Sequence, residues 1–199
     1  MKRVWLVAVA VSVLLFAGGI EVGVSYFSDV AKSTGNEIST GEFDIGISRD
    51  GSRYYDDYKL FEFSDLKPGD EKTISFYIKN RGDYPVSRIS MRFNITDAEK
   101  GELSAAEALV DNTPDEGELS GNLVITGFEV KHNGQSTSLD GYVGKTLAEL
   151  NNSRITIFSG KLAEGESVEV SITLKLSENA GNECQTDVSR VALSIYAEQ

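Results

Sequence analysis

The chain has 199 residues, 40% of them hydrophobic, and a formal net charge of −12. That apolar fraction fills the core of one domain and excludes an intrinsically disordered chain. An acidic chain without a basic patch excludes nucleic acid as a partner, and a single cysteine, Cys184, excludes an internal disulfide.

At the N-terminus, Lys2 and Arg3 precede an almost unbroken apolar run from Val4 to Ile20, and Gly23-Val24-Ser25 places small residues at the −3 and −1 positions of a cleavage site. Residues 1–25 therefore read as a secretory signal peptide, with a retained membrane anchor as the competing reading of the same run. Cleavage after Ser25 removes two positive charges and one negative, taking −12 to −13. So acidic a chain is repelled by anionic membranes, and the expectation is a secreted, extracellular protein with no membrane contact after cleavage.

Residues 26–40 form an arm. Its first residues are Tyr26, Phe27, Ser28, Asp29, Val30, Ala31 and Lys32; Tyr26-Phe27 with Val30-Ala31 make an apolar tip, and a polar Ser/Thr/Gly/Asn leash runs from Lys32 to Thr40. Read from its residues alone, such an arm is a frayed terminus or a strand paired within its own domain sooner than a strand offered to another subunit.

From 41 to 199 the dominant signal is period-two alternation, which gives each strand one apolar and one wet face. Phe43, Ile45 and Ile47 alternate with polar or small residues, as do Ile74, Phe76 and Ile78, then Ile89, Met91, Phe93 and Ile95. Val124, Phe128 and Val130 continue the theme, with Ile155 and Ile157 after them. Val168 to Leu176 is the longest stripe and Val191 to Ala197 the last. Turn signals separate them: Lys67-Pro68-Gly69-Asp70, Asn80-Arg81-Gly82-Asp83, His132-Asn133-Gly134 and Ala163-Glu164-Gly165. Two sheets with one apolar face each must bury them together, so the fold class is an all-β sandwich. Residues of about 97–152 read as an insertion with short helices, because Ser104 to Glu107 and Thr146 to Glu149 match capping boxes.

Catalytic signals are few. His132 is the single histidine and stands in a hairpin turn; no zinc spacing, nucleophile elbow or phosphate loop occurs. No catalytic residue is assigned, and the chain reads as a non-enzyme. The acidic clusters Asp56-Asp57 and Asp115-Glu116-Gly117-Glu118 are candidates for calcium, without the EF-hand spacing; no other cofactor is expected. Asn94 and Asn151 head N-glycosylation sequons, and Asn94 should face outward between Phe93 and Ile95.

Three segments together resemble one family: "YFSDVAKSTGNEISTGEFDIGI" at the start of the arm, "LKPGDEKTISFYIKNRGDYPVSRISM" at 66–91 and "LSENAGNECQTDVSRVALSIYAEQ" at 176–199. They are similar to the TasA/camelysin family of secreted biofilm-matrix and cell-surface filament proteins, which includes archaeal bundling-pilus relatives. Residues 97–152 carry none of the resemblance, and Cys184 stands where the family's segment commonly has an aromatic. The resemblance implies a jelly-roll-like sandwich and a filament subunit whose mature N-terminus, Tyr26 to Lys32, is donated as a strand to the next copy. The partner is then a second copy of the chain, with other matrix or cell-surface components beside it. A monomeric cell-surface or glycan-binding module is the alternative. A camelysin-type secreted metalloprotease is a second, disfavoured by the absence of a zinc set.

Overall fold

The computed structural model describes residues 28–32, 44–56, 61–111, 113 and 116–199. Their alternation becomes strands β1 (Ser28–Lys32), β2 (Ile45–Ser48), β3 (Phe61–Ser64), β4 (Glu71–Asn80), β5 (Val86–Glu99), β6 (Leu123–His132), β7 (Gln135–Ser138), β8 (Arg154–Leu162), β9 (Ser167–Leu176) and β10 (Asp187–Glu198). One short helix, α1 (Leu119–Asn122), precedes β6, and 3₁₀ turns occupy Glu107–Leu109, Asp140–Tyr142, Ala148–Leu150 and Asn182–Cys184.

Two antiparallel sheets of five strands form. One runs β2-β4-β9-β6-β7; the other runs β10-β5-β8, with β1 and β3 both attached to β10. Apart from the β6–β7 hairpin, every successive pair of strands lies in opposite sheets, the winding expected of a jelly-roll-like sandwich. The expected all-β fold is the one that forms. Between the sheets, Phe76 and Ile78 of β4, Phe128 of β6 and Val168 to Leu176 of β9 meet Ile89, Met91 and Phe93 of β5 and Leu193, Ile195 and Ala197 of β10 in one core. Each fully buried aliphatic or aromatic side chain contributes about 1.5–3 kcal/mol.

The alternation fails in two places for local reasons. All four residues of β2 are buried, because Tyr54 and Arg81 cover its outer face. A Cβ on Gly46 would lie 2.9 Å from the Tyr54 Cβ and 3.0 Å from the Arg81 side chain, so only glycine admits them. Arg81 then reaches Asp44 at 2.7 Å and also pairs with Asp56. In β5, Ser90 is buried between Ile89 and Met91, where its hydroxyl meets that of Thr156 and its cross-strand neighbour is Tyr196.

Both capping boxes form, around 3₁₀ turns. The Glu107 N–H donates to Ser104 Oγ and the Ser104 N–H to Glu107 Oε2; Thr146 and Glu149 repeat the exchange. The stretch 97–152 is part of the sandwich as well as an insertion, because β6 pairs along β9. Asn80, fully buried, ties two turns together. Its Nδ2 donates to the carbonyls of Tyr84 (2.8 Å) and Leu162 (3.1 Å), and its Oδ1 accepts from the Gly82 N–H.

Candidate functional site: the strand seat along β10

β10 is built for the centre of a sheet. Val191, Leu193, Ile195 and Ala197 bury one side of the strand, and β5 pairs with it along its whole length, Asp187↔Glu99 to Glu198↔Arg88. Its other edge is divided between two short strands. β3 covers Val188 to Val191, and β1 covers Ser194 to Glu198, with Ser28 opposite Glu198, Ala31 opposite Ile195 and Lys32 opposite Ser194. Ala192 and Leu193 lie between the two partners. β1 ends the sheet, and among the described residues no strand pairs with its far edge.

The part of β10 beneath β1 is held from the opposite side. Glu198 accepts from Arg88 (3.0 Å) and Arg154 (2.6 Å), the Arg154 guanidinium stacks 4.4 Å over the Tyr196 ring, and the Ser87 hydroxyl donates to the Glu198 carbonyl. Half-exposed ion pairs are individually weak, but two guanidinium partners on Glu198 with a stacked ring tie the last residues of β10 to β5 and β8. Beyond Glu198 an open hollow of about 300 Å³ is lined by Tyr84, Pro85, Val86, Ser87, Lys161 and Gln199. Without β1, the outward backbone groups of Ser194 to Glu198 form an open sheet edge, which pairs with any extended peptide of matching register.

Of the residues assigned to the arm, Ser28, Asp29, Val30, Ala31 and Lys32 form β1 on the chain's own β10. These five residues thus adopt the within-domain pairing that the sequence left open. Tyr26, Phe27 and the signal peptide lie outside the described residues. Asn94 is exposed, as expected from its neighbours. The Asn151 side chain accepts from the Ile95 N–H at 3.0 Å and continues the pairing of β5 past its last β8 partner, Arg92. His132 is half-buried, edge-on to Phe158 at 5.1 Å and 3.5 Å from Glu166, rather than a free turn residue. Cys184 is buried; its thiol accepts from Asn122, and burial, with Asp187, Glu183 and Glu118 nearby, pushes it up to about 12.

The described members of the candidate calcium clusters do not come together as pairs. Asp56 is spent on Arg81, Asp57 and Asp115 lie outside the described residues, and Glu116 is exposed. Glu118 alone turns inward, where it meets Glu99 and Asp187. No sequence pattern joins those three, because the register of β5 on β10 brings Glu99 and Asp187 together.

The sequence profile of the family described as Camelysin metallo-endopeptidase matches residues 3–199. The chain belongs to the camelysin family. No curated protein matches it in sequence. The match spans the resemblance read from the three segments and extends it through 97–152. The family's descriptive name implies a catalytic metal, and the residues can be tested for one. Catalytic zinc takes three protein ligands with imidazole prominent among them. Among the described residues of this camelysin-family chain, the group of metal-capable side chains is Glu99, Glu118 and Asp187, all carboxylates and remote in type from a zinc set. The single histidine, His132, has Glu166 beside it and no such cluster around it. These residues do not fit a peptidase zinc. Among them, too, no helix is long and apolar enough to cross a membrane.

Proposed function

We propose that this protein is a structural subunit that polymerises into extracellular filaments or matrix fibres, with β1 as its assembly strand and the β10 edge as its acceptor. The observation that carries the reading is the placement of β1. Among the described residues it is the outermost strand of its sheet, held through backbone pairing to one neighbour. The segment 33–44 between β1 and β2 can extend about 40 Å, comparable with the diameter of a domain this size. In the free subunit β1 closes its own sheet. In the fibre, the β1 of one subunit takes the same place on the next, so nearly identical hydrogen bonds are exchanged and little stability is lost. The contact is heterologous, each copy giving a strand at one side and accepting one at another, so the assembly grows without closing. On this reading the protein acts by polymerising and not by turnover, and its partner is a second copy of itself.

A monomeric glycan- or surface-binding module predicts single particles where the filament reading predicts regular fibres. Negative-stain microscopy of secreted material separates them: fibres from wild type, and none from a variant lacking residues 26–32 that still folds. Equally long fibres from that variant would end the reading.

A further inference from the structure

We infer that Glu99, Glu118 and Asp187 form a calcium site that fastens the acidic loop before α1 to the end of the β5–β10 pair. Glu99 is the last residue of β5, Asp187 the first of β10, and they are direct cross-strand partners. Like charges directly opposite on a sheet repel, and here Asp187 is only 2% exposed. The loop adds a third carboxylate. The Glu118 N–H donates to Asp187 Oδ2 at 2.5 Å, and a carboxylate oxygen from each of the three lies within 4.8 Å of the other two.

The loop backbone is shaped for this approach. A Cβ on Gly117 would stand 2.9 Å from the Ala98 N and 3.1 Å from the Asp187 Cγ, so any larger residue would push Glu118 away.

Among the described residues the three carboxylates have no counter-charge. Asp187 Oδ1, Glu99 Oε1 and Glu118 Oε2 are each buried without a hydrogen-bond partner, and among the described residues none of the three makes an ion pair with Lys, Arg or His. Further carboxylates surround them. Thr186 Oγ1 lies 2.9 Å from Glu99 Oε2 and 2.6 Å from Glu107 Oε2. A hydroxyl has one proton to give, so Thr186 serves both carboxylates only by sharing that proton or by accepting one from a protonated carboxyl. Asp97 and Asp111 each carry another buried oxygen without a partner.

A buried all-oxygen cluster is satisfied by a proton or by a hard cation. Burial, with Glu99 and Glu118 beside it, pushes the Asp187 carboxyl up to about 7, so a proton is the rival occupant. Ligand type decides among cations. Ca²⁺ takes six to eight oxygens in flexible geometry, whereas Mg²⁺ demands a near-ideal octahedron and keeps several of its waters, so a protein-built cluster of carboxylates suits the larger ion, with water completing its shell.

The test uses the full chain, stripped with chelator and titrated with CaCl₂ at pH 8 by calorimetry, with thermal melts in parallel. One saturable site and a melting temperature that climbs with calcium are expected. Asp187→Asn and Glu118→Gln should each weaken binding by at least as much as loss of an outer-shell partner, about 10–100-fold. Gly117→Ala should weaken it with every carboxylate intact. MgCl₂ should bind more weakly than CaCl₂. Calcium affinity unchanged in Asp187→Asn and Glu118→Gln would overturn the site. So would a wild-type chain that takes up no calcium at pH 8 while Asp187→Asn melts higher, the mark of a shared proton. Zinc uptake in preference to calcium would overturn it as well.

Discussion

Ala31 stands directly across from Ile195, so the first described strand of the chain closes on its last. Ile195 is fully buried. The core strands β4, β5, β6, β8 and β9 do not touch β1 in their pairing. Deleting residues 26–32 should therefore leave a folded β-protein by circular dichroism, with a lowered melting temperature and no fibres. Phe27→Asp should keep the melting temperature closer to wild type and still lose fibres, by placing a charge where an apolar contact is needed. Loss of fold in the deletion variant would show that β1 belongs permanently to its own domain.

Asn80 offers a test of the fold alone. Asn80→Ala takes the Asn80 Nδ2 donor from the Tyr84 and Leu162 carbonyls at a buried position, while the Gly82 N–H keeps the Asp44 carbonyl as its acceptor. Each unsatisfied buried group costs about 1–3 kcal/mol, and since they share one side chain the expected loss is about 2–4 kcal/mol. Urea denaturation measures it. A loss below about 1 kcal/mol would mean that these turns hold without the hub.

Cys184 should be chemically silent. With its thiol pushed up to about 12, the reactive thiolate is scarce at pH 8, and burial blocks the reagent besides. A thiol-specific chromogenic reagent at pH 8 should label the native protein far more slowly than the urea-unfolded one. Equal rates, or a disulfide-linked dimer in freshly purified protein, would refute the buried placement.

Much of this fold is legible in the sequence because its signals are local. The stripe Val168 to Leu176 becomes β9 with strict in-out burial, Asn133-Gly134 makes the two-residue hairpin between β6 and β7, and both capping boxes close as written. What could not be read depends on register between distant segments. Nothing near Glu99 announces that it will face Asp187, and nothing in the β2 stripe shows that Tyr54 and Arg81 will cover its wet face. His132 sits in a turn-forming sequence, but its burial comes from Phe158 on another strand. The arm is the sharpest case. Its composition allows a donated strand or an internal one, and the choice lies in which copy of β10 presents its edge.

That choice can be read directly. Lys32 and Ser194 are opposite one another, and directly opposed residues of an antiparallel pair have Cα atoms about 4.5–5.5 Å apart, within disulfide reach. Chains carrying both Lys32→Cys and Ser194→Cys are assembled, oxidised and separated under denaturing, non-reducing conditions. Strand exchange predicts a ladder of covalent multimers from fibres and intrachain bridges from free subunits. Fibres that dissolve into single bridged chains would show that β1 never leaves its own subunit, and would contradict the account.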